Sequence, residues 1–209
     1  MALTLRRTKG SQLTWDEVDE NWTAGRTFTG NIDFSGDGTY YVDVDWPILA
    51  RVTGTGQPTM AALVGNIMAP TWAVNDFNMC DGRELPHGAK IGTVLDWHCH
   101  MVTNGVDIAD KHVKFEIEWV WMNINGAMSA LQTTTQVADF VIPANTTDRT
   151  HFLVDIGDDA PATTVGCHIY PRLKRIAATG AAPTKSPFVT MLQAHVECDS
   201  IGTNTEYSK

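Results

Sequence analysis

The sequence predicts a mainly β protein, an antiparallel jelly-roll-like β-sandwich preceded by one short helix. Three observations predict it. First, Lys111 to Asn123 places Val113, Phe115, Ile117, Trp119 and Trp121 on alternate positions, with Lys114, Glu116 and Glu118 between them. Successive strand residues face opposite ways, so five large apolar groups share one face. Second, roughly eight to ten such stretches follow at short intervals, most of them separated by Gly, Pro, Asn or Asp clusters. Third, a helical period occurs only near the start. Patterns of this kind fold as sandwiches or barrels. The 111–123 strand is the expected centre of the core, because its two tryptophans need a second apolar layer over them.

The elements can be justified in order. Residues 1–13 show no period and are locally basic through Arg6, Arg7 and Lys9. Thr14-Trp-Asp-Glu17 is a capping box, flanked by Leu13 and Val18 at staple positions. Trp15, Val18 and Trp22 follow helical spacing, and Gly25 is a stop, so 14–24 is expected to be a helix. A helix this short depends on packing against something else. The Trp15/Trp22 stripe suits core packing and docking about equally, and the chain divides into an N-terminal segment, 1–25, and the sandwich domain, 26–209. Within that domain, 32–34 is a short candidate strand and Tyr40 to Trp46 alternates, with Pro47 limiting it to an edge or an end. Residues 48–53 are a further candidate, and 53–62 reads as a loop. Strands are expected at 63–68, 72–80, 92–103, 111–123, 135–142, 151–157, 165–176 and 188–199. The long connections 53–62 and 104–110 suit Greek-key crossings. Ala177 to Pro187 reads as the loosest exposed loop.

Composition narrows the function. The chain has 209 residues, 43% hydrophobic and 19% charged, with a formal net charge of −9. That size can bury a sizeable core. The acidic balance argues against binding a nucleic-acid backbone, which needs a basic footprint. No apolar run reaches about 18 residues, so no membrane helix is expected. Met1 to Arg7 lacks a signal-peptide core, so synthesis in a cytoplasm is expected. Cys80, Cys99, Cys167 and Cys198 form no CxxC pair. Buried thiols rather than disulfides or a zinc ribbon follow from that spacing and compartment.

The sharpest chemical candidate is Asp96-Trp-His-Cys-His100. His98 and His100 share one face of a strand and could ligate a metal with a third group from a neighbouring strand. With Gly92, the stretch resembles the opening of the first cupin motif. The carboxylate expected three or four residues after the second histidine is missing, and so is the second cupin motif. No cofactor or metal is therefore expected; His98 and His100 are the residues that would serve if one were bound. Otherwise they are hydrogen-bonded histidines at a strand surface or a subunit interface. His87, His112, His151, His168 and His195 are scattered. Asp158-Asp159 reads as a solvated loop pair, and Glu116 and Glu118 as the solvent face of their strand. No nucleophile elbow, P-loop or dinucleotide fingerprint is present.

Two stretches carry a resemblance. Leu13-Thr-Trp-Asp-Glu-Val-Asp-Glu-Asn-Trp22 resembles the attachment motif near the start of many virion proteins of tailed bacteriophages. The shared positions are Leu13, Thr14, Glu17, Val18, Asp19, Asn21 and Trp22. Across about 66–209, Glu84-Leu-Pro-His87, the His98-x-His100 strand, Val113 to Trp119 and the His195-to-Tyr207 end resemble a β domain of phage structural proteins. Met101 stands where that family has a tryptophan. The resemblance implies a non-enzymatic virion component made in the bacterial cytoplasm. It further implies docking on the major capsid protein or another virion protein through Leu13, Thr14, Trp15, Glu17, Val18 and Trp22. A homo-oligomer, with a trimer favoured, is implied too, and Val120 and Met122 are the expected interface residues. A capsid decoration (cement) protein is the preferred reading, and a short tail fibre or tail adaptor its variant. The alternatives of another class are a cupin-like metalloenzyme or a sugar-binding module. A host-receptor role is a third idea, but all seven tryptophans, at 15, 22, 46, 72, 97, 119 and 121, mostly sit in expected helix or strand.

Overall fold

The computed structural model describes residues 39–48, 55–161, 163, 164 and 166–200. The expected helix at 14–24, with its six docking residues, lies outside them, as do the candidate strands at 32–34 and most of 48–53. No helix among the described residues is long and apolar enough to cross a membrane.

Twelve strands occur among the described residues: β1 (Tyr40–Pro47), β2 (Thr59–Val64), β3 (Ile67–Thr71), β4 (Phe77–Met79), β5 (Arg83–Glu84), β6 (Leu95–Val102), β7 (Lys111–Met122), β8 (Gln132–Thr135), β9 (Phe140–Ile142), β10 (His151–Asp159), β11 (His168–Ile176) and β12 (Phe188–Cys198). All their pairings are antiparallel. One sheet runs β10-β6-β12, continued by β1 along most of β12 and by β3-β2 at its start. The other runs β4-β11-β7-β8, with β5 beside β11 and β9 beside β7. Strands distant in sequence thus lie side by side, and the order β1-β12-β6-β10 facing β4/β5-β11-β7-β8/β9 is the one expected of a jelly roll.

The core sits between the sheets. From β7 come Val113, Phe115, Ile117 and Trp119, all essentially inaccessible. Trp46, Leu95, Trp97, Met101, Leu192 and Val196 face them from the other sheet. Trp97 joins the layers: its ring lies 5.0 Å from that of Trp46 and 5.7 Å from that of Trp119, which is in turn 5.4 Å from Trp121. Trp119 Nε1 donates to Thr134 Oγ1 at 3.3 Å. All four cysteines are buried, and no disulfide joins them. Burial pushes the Cys80 thiol up to about 12 and Cys167 to about 11, and raises Cys99 further.

Several expectations change. The stretch 63–68 is not one strand: it holds the end of β2, a turn at Gly65-Asn66 with Gly65 at φ 55, and the start of β3. Part of the expected 53–62 loop is accordingly strand, from Thr59. Of 72–80, only Phe77–Met79 is strand. The preceding residues turn, with Asn75 at φ 74 and the Ala73 N–H on Asp76 Oδ2 at 2.7 Å. The turn is held to the body by buried Arg175, whose guanidinium donates to the Trp72 carbonyl and whose backbone N–H donates to Asp76 O at 2.9 Å. Burial lowers the pKa of that guanidinium. The 135–142 strand is split in two. Gln136 covers the gap, because its side chain accepts the Phe115 N–H at 3.1 Å while its own N–H donates to Phe115 O. Asp158 and Asp159 belong to β10, not to a loop. Glu116 and Glu118 are half-buried, with Glu118 on Arg172 at 2.7 Å and Glu116 on Lys174 at 3.7 Å.

The loop at 177–187 is anchored, not loose. The Asp139 carboxylate accepts the Thr179 hydroxyl and N–H, both at 2.7 Å, and the Gly180 N–H at 3.0 Å. These bonds, the Thr179 hydroxyl foremost, hold its pKa below the ordinary 3.8. A carboxyl depressed in the folded state stabilises above its unfolded pKa and loses that as pH falls through the folded one. The protection factors at Thr179 and Gly180, exchange corrected for its intrinsic pH dependence, are therefore expected to fall only below about pH 4, and in Asp139→Ala to be lower at every pH. Hydrogen exchange read by NMR checks this; equal protection in the variant would remove the anchor.

Candidate functional site

Strands of the first sheet alternate, so residues between the core positions form an outer face. Register aligns two rows on it. Asp43, His195, Asp96 and Asp158 lie side by side across β1, β12, β6 and β10, and Asp45, Gln193, His98 and Asp155 form the next row. His100 follows on β6, with His151 further along β10. The face therefore brings four histidines and five aspartates together from four strands.

The bonds on this face are directional. His195 lies between two carboxylates, Nδ1 2.9 Å from Asp96 and Nε2 3.1 Å from Asp43. Gln193 donates its amide nitrogen to Asp45 Oδ1, which fixes its Oε1 toward the histidines. That oxygen accepts from His98 Nε2 at 3.0 Å and from His100 Nε2. His100 Nδ1 then accepts from His151 Nε2 at 2.8 Å. The His98 ring lies against that of His195, tilted by 38° with centroids 4.3 Å apart, and His98 is only 2% exposed. Beside it, Tyr41, Thr93, Asp96, Asp158, His195 and Glu197 line an open depression of about 560 Å³. Burial, then Asp96 and Asp155, raise the pKa of Asp158 there. Lys90 bonds Glu197 at 3.0 Å and holds its pKa below the ordinary value.

His98 and His100 do share a face, as expected, but they converge on Gln193. The residue most closely coupled to His98 is His195, which had seemed merely scattered. Asp43 and Gln193 were missed as well, and Asp96, inside the candidate stretch, had no role assigned to it. Their alternation with core residues was visible in 40–46, 92–103 and 188–199; which strand pairs with which was not. His87 and His168 both lie near Glu84, at 3.0 and 3.8 Å, and His112 lies 3.8 Å from Asp139.

A second surface is apolar. The β2–β3 hairpin pairs with the body through only Phe188 and Thr71, so most of it is a two-stranded ribbon. Met60, Val64, Ile67 and Met68 are 50–65% exposed. Such a ribbon is marginal alone. Arg149, at φ 65, ties it down. Its guanidinium donates to Leu63 O at 2.5 Å and Ala62 O at 3.3 Å, reaches Asn104 Oδ1 at 3.0 Å, and lies 4.8 Å over the Phe188 ring.

No protein-family model matches the chain, and no curated protein matches it. Among solved structures, one of infectious bursal disease virus, Gt strain, aligns with 79% of the chain at 10% identity and a TM-score of 0.30. The chain spans about 30% of the length of that protein. No function passes between the two at that similarity.

Proposed function

We propose that the chain is a non-enzymatic structural protein of a virus particle, a capsid decoration protein of tailed-bacteriophage type. Residues 1–25 dock it on the major capsid protein, and the sandwich sits on the shell as a trimer. The observation that carries this reading is the β2–β3 ribbon. Met60, Val64, Ile67 and Met68 present apolar side chains at 50–65% exposure. Exposed apolar side chains gathered on both faces of one hairpin fit a segment that another protein covers. The attachment-like motif at 13–22 supports the same reading from the sequence side. So does the packed interior: Trp46, Trp97, Trp119 and Phe115 fill the space between the sheets, where a cupin-like enzyme needs room for its substrate. His98 and His100 face outward from that space.

Co-sedimentation with expanded capsids tests the reading. Deleting 1–25 is expected to leave a folded β body that no longer sediments with shells. Met60→Lys with Ile67→Lys is expected to weaken binding at least about tenfold without changing the fold, since a charge there loses the apolar contact. Retained binding by the truncated chain would sink the docking claim. Immunogold labelling of particles locates the chain; label on tails favours the fibre or adaptor variant, and particles without label exclude a virion role.

A further inference from the structure

We propose that Asp43, His98 and His195 hold one divalent transition-metal cation, zinc or a cation of similar preference, on the outer face of the sandwich. The inference does not depend on the virion reading. One donor atom from each of the three residues lies within 4.8 Å of the other two, a spacing that small side-chain movements close around an ion. They come from three adjacent strands, with β12 in the middle, so hydrogen-bonded register fixes their spacing.

The tautomers point the same way. The Gln193 carbonyl oxygen can only accept, so His98 carries its hydrogen on Nε2. A neutral ring then has its lone pair on Nδ1. That atom is buried and has no hydrogen-bond partner among the described residues. An unmet buried acceptor is destabilising, and a cation satisfies it. His195 poses the complementary problem. A neutral imidazole has one N–H and faces two carboxylates. With Nδ1–H on Asp96, the Nε2 lone pair opposes the Asp43 oxygen, and a cation between them turns repulsion into ligation. Asp96 is then the carboxylate that orients a metal-bound histidine, and Gln193 does the same for His98.

The surroundings favour a cation. Asp45, Asp96, Asp155 and Asp158 flank the site. Asp43 and His195 keep 53% and 36% of their side chains exposed, which leaves an entry path and a fourth position for water. Two imidazoles and one carboxylate suit zinc, cobalt, nickel or copper; calcium and magnesium take oxygen ligands. A cation here would clamp β1 to β12 and β6.

The test uses the full chain without an affinity tag, freed of metal by chelator. Zinc is titrated against a chromophoric competitor, and cobalt is followed by its visible absorption. One equivalent is expected, with Asp43→Asn and His195→Gln each weakening binding at least about 100-fold. Asp96→Asn, a positioning variant, is expected to weaken it about 10–100-fold. His100→Gln and His151→Gln are expected to bind as wild type. Circular dichroism confirms that each variant is folded; Asp43 is exposed, so its variant reports even if a histidine change disturbs the sheet. Absence of stoichiometric zinc in the wild type would overturn the proposal. So would binding that survives both Asp43→Asn and His195→Gln, binding lost in His100→Gln, or displacement by millimolar magnesium.

Discussion

Trp119→Ala is expected to destabilise the protein by about 3–5 kcal/mol, the range for truncating a fully buried large aromatic. Trp119 is 1% exposed, and its ring lies between those of Trp97 and Trp121. Removing it opens a void where the two sheets meet and leaves Thr134 without its indole donor. The neighbouring Trp121 is only partly buried, so Trp121→Ala is expected to cost clearly less. Denaturant unfolding checks both, as a lowered midpoint with unchanged slope. A near-neutral Trp119→Ala would mean that the alternating stripe of β7 is not the centre of the core.

Gly88→Ala is expected to cost about 1–3 kcal/mol, near the upper end, as overpacking against a rigid neighbour. A Cβ at Gly88 would sit 2.3 Å from the Ser200 carbonyl oxygen and 3.1 Å from the Tyr40 hydroxyl. Backbone cannot rotate aside as a side chain can. The surrounding contacts depend on that approach: Asp199 N–H donates to Gly88 O at 3.1 Å, and Lys90 N–H to Glu197 O at 2.9 Å. His87→Ala, one residue away, serves as the control. Its ion pair with Glu84 is exposed, so a change within about 0.5 kcal/mol is expected. Equal melting temperatures for the Gly88 and His87 variants would refute the close approach.

The resemblance at Glu84 to His87 takes on physical content here. Leu85 is buried, and the Pro86 carbonyl accepts the Ala89 N–H at 2.9 Å, so the stretch makes a turn that lays 88–90 along the end of β12. Elsewhere, what was legible followed from local pattern. β7, β11 and β12 were readable because alternation marks one buried face. The β2–β3 hairpin was misread because Ala61 to Met68 is apolar almost throughout, which suggests a continuous strand. Gly65-Asn66 is nonetheless a two-residue hairpin signal. Composition outweighed the turn residues, and the bend of an exposed apolar hairpin was taken for part of one strand. The histidine face was half legible. Alternation put His98 and His100 outward on one strand and His195 outward on another. Their meeting depends on β12 pairing with both β6 and β1, and no local pattern encodes a pairing across more than ninety residues.

That pairing also sets the order of events in biosynthesis. β12 lies between β6 and β1 and contacts β3 as well. Until Phe188–Cys198 has left the ribosome, β1 has no strand partner among the described residues, and the β6–β10 pair and the β2–β3 hairpin cannot join into one sheet. Sequence separations this long make for slow folding. The Trp46 and Trp97 side chains must therefore wait, half-sheltered, for a strand made well after them. A ribosome-stalled chain ending before residue 188 is therefore expected to be far more protease-sensitive than one extended beyond 198 by a linker.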